Sequence, residues 1–165
     1  MFARQGWAHW AISCSLLLLA IRAGSAETPA TAEEDPLPVE SQWKGKLAQL
    51  GSHPNIEFPP EVDATLTISK RDGDNVEAEL CETLPGMELT FLCKGRLSRR
   101  ADKSLWLEVR SYGVKGLANA GMFIVDVPYT ARLTGDSLKG AWKYVNKAEG
   151  IDLGGDFQFK RMNSE

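Results

Sequence analysis

Apolar and polar residues alternate along most of the chain between positions 42 and 161. In the stretch VDATLTIS, the side chains of Val62, Ala64, Leu66 and Ile68 would face one side of an extended strand. The polar residues between them would face the other side, as expected for a strand with one buried face. The same pattern recurs along the chain and predicts eight strands. Their inward-facing residues fall within positions 43–47, 62–68, 76–80, 89–97, 105–109, 123–133, 138–144 and 151–161.

Most of the predicted strands are joined by short turns such as RDGD and TGDS. Sequential strands with short connections are typical of an antiparallel up-and-down meander. A sheet of this length with one apolar face removes its exposed edges by closing on itself. The sequence therefore predicts an all-β fold, an eight-stranded antiparallel up-and-down barrel.

Connections in such a barrel alternate between its two ends. The tight end would hold the N-terminus, the turns RDGD, RRADK and TGDS, and the C-terminus. The loose end would hold the connections 51–61, 84–87, 113–121 and 146–150, which include the two longest. An eight-stranded barrel has room for packed side chains or for one small ligand.

The first 26 residues have the pattern of a signal peptide. Arg4 precedes the apolar run WAISCSLLLLAI, and the small residues AGSA follow it. Because a membrane-spanning helix needs roughly 20 apolar residues, the run is too short to span, and we expect cleavage after Ala26. The pattern predicts a secreted or periplasmic protein with no membrane span in its mature form. An uncleaved anchor is the alternative.

Residues 27–41, ETPATAEEDPLPVES, are rich in Pro and acidic residues and have no periodic apolar face. Such a segment buries too little apolar surface to offset the entropy of ordering, so we expect a disordered linker. The barrel domain would span residues 42–161, followed by a C-terminal tail at 162–165. A hydrophobic content of 43% is sufficient for one domain with a core.

The charge and the metal-ligating residue types exclude several functions. Net charge is −3 with scattered basic residues, so we expect no nucleic-acid partner. After removal of the signal peptide, His53 and two cysteines remain, without the spacing of a metal site. We therefore expect no metal and no cofactor.

The two cysteines of the mature chain are Cys81 and Cys93. Two cysteines in an exported domain usually pair, so we predict a disulfide between them. The alternation pattern favours two free thiols instead, because Cys93 shares a face with apolar residues while Cys81 shares one with Glu77 and Glu79. A disulfide would then require a β-bulge.

The stretch LTGDSLKGAW contains the letters GDSL, which name a group of serine hydrolases. A nucleophilic Ser137 would need a strand-to-helix turn and a histidine base within reach. Here the letters fall in a predicted hairpin, and no histidine follows them. We therefore interpret Ser137 as a turn residue and expect no catalytic residues and no enzymatic activity.

Trp43 opens the first predicted strand and Arg161 closes the last, both with inward parity. A guanidinium group over an indole face would close the tight end of the barrel. This pair resembles the calycin group, and lipocalins above all, in which a Trp of the N-terminal strand packs against an Arg near the end of the barrel. The chain has Trp-Lys-Gly where lipocalins have Gly-x-Trp. The opening motif W-x-G, the motif L-x-G-D-x-L-x-G at 133–140 and the closing motif G-D-F-x-F-x-R also resemble small exported bacterial domains of unassigned function.

Trp142 and Tyr144 are inward-facing aromatic residues on the seventh predicted strand. They are candidates for contact with a ligand, and the alternative is that they fill the core. We expect a carrier that binds a small apolar ligand at the loose end, beside Tyr144 and apolar residues of the fifth and sixth strands. The alternative is a non-enzymatic protein-interaction module of the periplasm or cell envelope, with a filled barrel core.

Overall fold

The structure, a computed structural model, describes residues 35–55, 57–116 and 124–163. The predicted signal peptide, residues 1–26, lies outside this range. All regular elements of the described residues are strands, and no helix is present among them. The strands are β1 (Gln42–Ala48), β2 (Leu50–Ser52), β3 (Glu61–Asp72), β4 (Asn75–Leu84), β5 (Met87–Arg99), β6 (Leu105–Val114), β7 (Pro128–Thr134), β8 (Ser137–Asn146) and β9 (Ile151–Arg161).

The strands form one antiparallel sheet in the order β1-β3-β4-β5-β6-β7-β8-β9. Pairing of β1 with β9 closes this sheet into an eight-stranded barrel. The short strand β2 continues the path of β1 along β9. The predicted all-β, up-and-down barrel is therefore confirmed, and alternation along the eight barrel strands separates a buried inner face from a more exposed outer face.

Two strand boundaries differ from the prediction. The first strand is interrupted at Gln49, whose backbone N–H donates to the carbonyl oxygen of Pro60 at 2.8 Å. The sixth predicted strand, β7, begins only at Pro128 because Asp126 has a φ of 69°, which bends the chain away from an extended conformation. Phe123, which we expected in that strand, lies outside the described residues.

The tight end of the barrel is packed with side chains. Its inner residues leave a void of about 20 Å³ beside Leu138 and Phe159, which is about the space that one water needs. Leu37, although it precedes β1, belongs to the same core and is fully buried. The ordered part of the chain thus includes residues 35–41, which we expected in the linker.

Backbone contacts hold residues 35–41 against the tight end. The Glu40 N–H donates to the Ile68 carbonyl oxygen at 2.8 Å. The Arg71 guanidinium donates to the Leu37 carbonyl oxygen at 3.1 Å, and it lies 3.4 Å from the Asp35 carboxylate. Burial of one leucine and these bonds explain why an acidic, Pro-rich segment is ordered here.

The predicted disulfide is wrong, because Cys81 and Cys93 are both free thiols. Cys81 lies on the outer face of β4, whereas Cys93 is buried inside the barrel. Their register partners also differ, since Cys81 is opposite Thr90 and Cys93 is opposite Ala78. The alternation pattern, which placed the two cysteines on different faces, was the better guide.

Candidate functional site

The loose end of the barrel contains a cavity of about 390 Å³. Its wall is mostly apolar and comes from β4, β5, β7, β8 and β9, together with the segments before β3 and β7. We expected the fifth predicted strand, β6, to line the site, but none of its described residues does. The principal apolar and aromatic lining residues are Phe58, Leu84, Leu89, Phe91, Ile124, Val125, Val127, Tyr129, Trp142, Tyr144, Ile151 and Leu153.

Both aromatic residues selected from the sequence line this cavity. Trp142 is half-buried on the inner face of β8, and its ring stacks on that of Tyr129 with centroids 6.3 Å apart. Its indole N–H donates to the Ala48 carbonyl oxygen at 2.9 Å. Tyr144, two residues further along β8, is also half-buried. The rings therefore form one side of the cavity rather than filling the core completely.

Glu82 is a buried acidic residue that the sequence analysis did not select. It lies on the inner face of β4 between Ala64 of β3 and Leu89 of β5, and only 6% of it is exposed. Burial raises the pKa of the Glu82 carboxyl group to about 7, since the charged form loses its hydration. The cavity therefore contains a carboxyl group that titrates near neutral pH.

Gln49 is the polar neighbour of Glu82. Its side-chain N–H donates to the Glu82 carboxyl oxygen Oε2 at 3.3 Å. Its own oxygen, Oε1, is buried and has no hydrogen-bond partner among the described residues. A buried acceptor without a partner costs free energy, so this amide oxygen is poised to accept a hydrogen bond.

His53 also lines the cavity, in the connection between β2 and β3. Its Nδ1 accepts a hydrogen bond from the Asn55 backbone N–H at 3.2 Å, and its ring packs edge-on against Phe58 with centroids 5.9 Å apart. These contacts give His53 a structural role in shaping the connection, which the sequence pattern had placed at the loose end.

Trp43 and Arg161 lie directly opposite each other in the register of β1 and β9. Trp43 is fully buried, and its indole N–H donates to the Ser41 hydroxyl oxygen at 3.1 Å. The Arg161 guanidinium lies 3.8 Å from the Asp136 carboxylate. The pair is thus at the tight end, away from the cavity, and its role in closing the barrel stays a prediction.

Ser137 is the first residue of β8 and is paired with Thr134 across a tight turn. Gly135 in that turn has a φ of 52°, a conformation that favours glycine. The turn is at the tight end, whereas His53 is at the loose end. The interpretation of Ser137 as part of a hairpin turn agrees with this geometry.

Among residues 35–55, 57–116 and 124–163, no group of His, Cys, Asp and Glu side chains is arranged to hold a metal ion. Nor does this part of the chain include any helix with the length and hydrophobicity required to cross a membrane.

No family model, curated protein or solved structure matches the chain. The barrel is compatible with a calycin-like architecture, and that likeness rests on strand number, order and closure alone. The function must therefore be argued from the cavity and its residues.

Proposed function

We propose that this protein is an exported barrel that binds a small, largely apolar molecule in the cavity at its loose end. The observation that carries the proposal is the contrast within the barrel interior. The tight end retains a void of about 20 Å³, whereas the loose end holds a cavity of about 390 Å³. Small-molecule sites are concave, mostly apolar and roughly 300–1,000 Å³ in volume, and the cavity meets these criteria.

The lining supports a ligand with an apolar body. Tyr129, Trp142 and Tyr144 offer aromatic surface on one side of the cavity, and aliphatic side chains such as Leu84 cover another. Aromatic side chains contribute large apolar contact areas and defined ring geometry. The few polar groups, among them Glu82 and Gln49, would orient the ligand.

Export rests on the N-terminal pattern of residues 1–26. We expect the mature protein to begin near Glu27 and to act outside the cytoplasm. Intact-mass measurement of protein recovered from the medium or periplasm tests this. A mass that retains the leucine run would favour the uncleaved anchor.

Titration by calorimetry tests ligand binding, with decanol and retinoid-like and steroid-like alcohols as probes. We expect at least one probe to bind with a dissociation constant well below roughly millimolar, which corresponds to about 4 kcal/mol. Leu84→Trp should abolish binding because it fills the cavity. The matched control, Leu50→Trp, adds the same ring at an exposed position outside the cavity lining and should leave binding intact.

A protein-interaction module is the second candidate. Leu50, Met87, Tyr112 and Val145 are exposed apolar residues, and all four lie near strand ends at the loose end. A protein docked over this end would cover them. If every probe fails to bind and the Leu84→Trp variant still folds, the protein-interaction module explains the structure better than the ligand-binding barrel does.

A further inference from the structure

The polar groups of the cavity define what its ligand must supply. Only 6% of Glu82 is exposed, and the residues opposite it on the two neighbouring strands, Ala64 and Leu89, are apolar. A buried carboxyl group is normally compensated by a cation or by several donors. Among the described residues, the Gln49 amide is the one group that donates a hydrogen bond to the Glu82 side chain.

Gln49 adds a second acceptor rather than a second donor. Because its N–H group is directed to Glu82 at 3.3 Å, its Oε1 is left buried without a partner in the described part of the chain. The ionised Glu82 carboxyl group and Gln49 Oε1 therefore lie together as acceptors, and among the described residues the Gln49 amide is the one side-chain donor that reaches either of them. A ligand that donates several hydrogen bonds would satisfy both groups.

The charges around the cavity favour a cation. Its charged lining residues are Glu82 and Glu149, and no Lys or Arg is among the described residues that line it. An anionic ligand such as a fatty-acid carboxylate would therefore meet two acids and no counter-charge. A cation would be attracted by the carboxylates and by the faces of Tyr129 and Trp142.

We propose that the ligand is an amphipathic amine, with an ammonium group that donates to the Glu82 carboxylate and to Gln49 Oε1. Its apolar body would lie against the aromatic side of the cavity. This inference rests on the proposed function, since it specifies the class of molecule that the same cavity binds.

Ionisation of Glu82 supplies a pH-dependent signature. Burial raises the pKa of Glu82 to about 7, so an ammonium ion that stabilises the carboxylate should release close to half a proton per site at pH 7. Burial also raises the pKa of the Cys93 thiol to about 12 and that of the Tyr129 hydroxyl well above 10, so both stay neutral. The titratable groups that face Glu82 or line the same cavity are Cys93, Tyr129, Tyr144, His53 and Glu149.

A matched series of probes tests the inference: decylamine, decanol and decanoate, titrated by calorimetry into the mature protein at pH 8. We expect decylamine to bind at least roughly tenfold tighter than decanol, or about 1.4 kcal/mol, and decanoate to bind weakest. Glu82→Gln should reduce the decylamine-to-decanol affinity ratio to about one. The control Glu77→Gln removes an acid from the outer face of the same strand and should keep the wild-type ratio.

Three outcomes separate this inference from the proposed function. Equal affinities for the three probes would overturn the amine inference and leave a ligand-binding cavity. Failure of all three probes, together with the retinoid-like and steroid-like alcohols, would overturn the proposed function itself. A preference for decylamine that persists in Glu82→Gln would assign the effect to other groups, because that variant retains His53 and Glu149, and would also overturn the inference.

A measurement on the unmodified protein covers the case in which Glu82→Gln does not fold. The preference for decylamine should disappear between pH 8 and pH 5.5, where Glu82 becomes neutral. Calorimetry at pH 7 in buffers of different ionisation enthalpy should report the proton release. A preference that is unchanged at pH 5.5, without proton release at pH 7, would overturn the inference.

Discussion

The indole N–H of Trp142 donates to the carbonyl oxygen of Ala48 at 2.9 Å. Trp142 is paired with Gly155 in the register of β8 and β9, and the β1–β9 register ends just before Ala48 at Leu47–Phe157. The indole thus reaches across β9 to the strand beyond it. One side chain joins three neighbouring strands at the level where the packed tight end gives way to the cavity.

Trp142→Phe should destabilise the protein by about 1–2 kcal/mol, because the Ala48 carbonyl oxygen loses its donor. The fold should persist, since a ring remains against Tyr129. Ligand-induced fluorescence change should also be lost in this variant. Urea unfolding and a fluorescence titration measure the two effects. Trp106→Phe is the control for fluorescence, because Trp106 is on the outer face under Arg100. Loss of the ligand-induced change in that variant would contradict the assignment of the signal to Trp142.

Gly155→Ala should destabilise the barrel by about 2 kcal/mol. A Cβ at this position would clash with the Ala48 carbonyl oxygen, and the backbone of β1 or β9 would have to move. Gly113→Ala is the matched control, since the nearest atom to its Cβ would be 4.0 Å away on Leu92. Urea unfolding of both variants is the measurement. Equal free energies of unfolding for the two variants would show that the backbone accommodates the new Cβ without loss of stability.

The barrel could be predicted from the sequence because the alternation pattern is local. Val62, Ala64, Leu66 and Ile68 are all buried on one face of β3, as the period of two requires. Tight turns such as Gly135-Asp136 could be recognised for the same reason, since the conformation that they need depends on the turn residues themselves. Strand order then followed from short connections.

The alternation pattern gives the inward parity of the polar pair in the cavity but not its burial. Gln49 follows Trp43 and Leu47 at the next inward position, and Glu82 follows Leu80 in the same way. An acid after an apolar run resembles the end of a strand. Its burial depends on strands that are distant in sequence and close over it, so alternation alone could not separate the two cases.

The ordering of Leu37 was also beyond the sequence pattern. A single leucine among prolines and acids has no periodic partner. Its burial depends on the tight end of the barrel, which is formed by strands further along the chain. Leu37→Ala should destabilise the protein by about 2–5 kcal/mol. Val39→Ala, at a position 47% exposed, should change the free energy of unfolding by less than about 0.5 kcal/mol. Similar values for both variants would contradict the docking of residues 35–41.

The two cysteines should differ in reactivity in the folded protein. Cys93 is 1% exposed and burial raises its pKa to about 12, so it should resist alkylation at pH 7.5 because the thiolate is the reactive form. Cys81, on the outer face, should be alkylated faster. Peptide mapping after labelling with iodoacetamide measures both. Unfolding without reductant should make both thiols available for labelling. If neither cysteine were labelled under these conditions, the absence of a disulfide would be contradicted.

Buried Glu82 should make stability fall as pH rises. Its pKa is about 7 in the folded protein and 4.5 for an ordinary Glu, so the folded state binds the proton more tightly. The resulting stability is fully present below pH 4.5 and is lost as the pH rises through 7. A shift of this size corresponds to about 3 kcal/mol.

Comparison with Glu82→Gln isolates this effect from the titration of other groups. The variant should gain about 3 kcal/mol in free energy of unfolding relative to the wild type between pH 4.5 and pH 8.5. Urea unfolding at several pH values measures the difference, and Glu77→Gln, on the outer face of β4, should show no comparable gain. Parallel pH profiles for wild type and Glu82→Gln would mean that Glu82 keeps its hydration in the folded protein.

An amphipathic amine should oppose the loss of stability at high pH, because the ion pair that it forms favours the ionised Glu82 carboxyl group. The stabilisation by decylamine should therefore increase from pH 6 to pH 8.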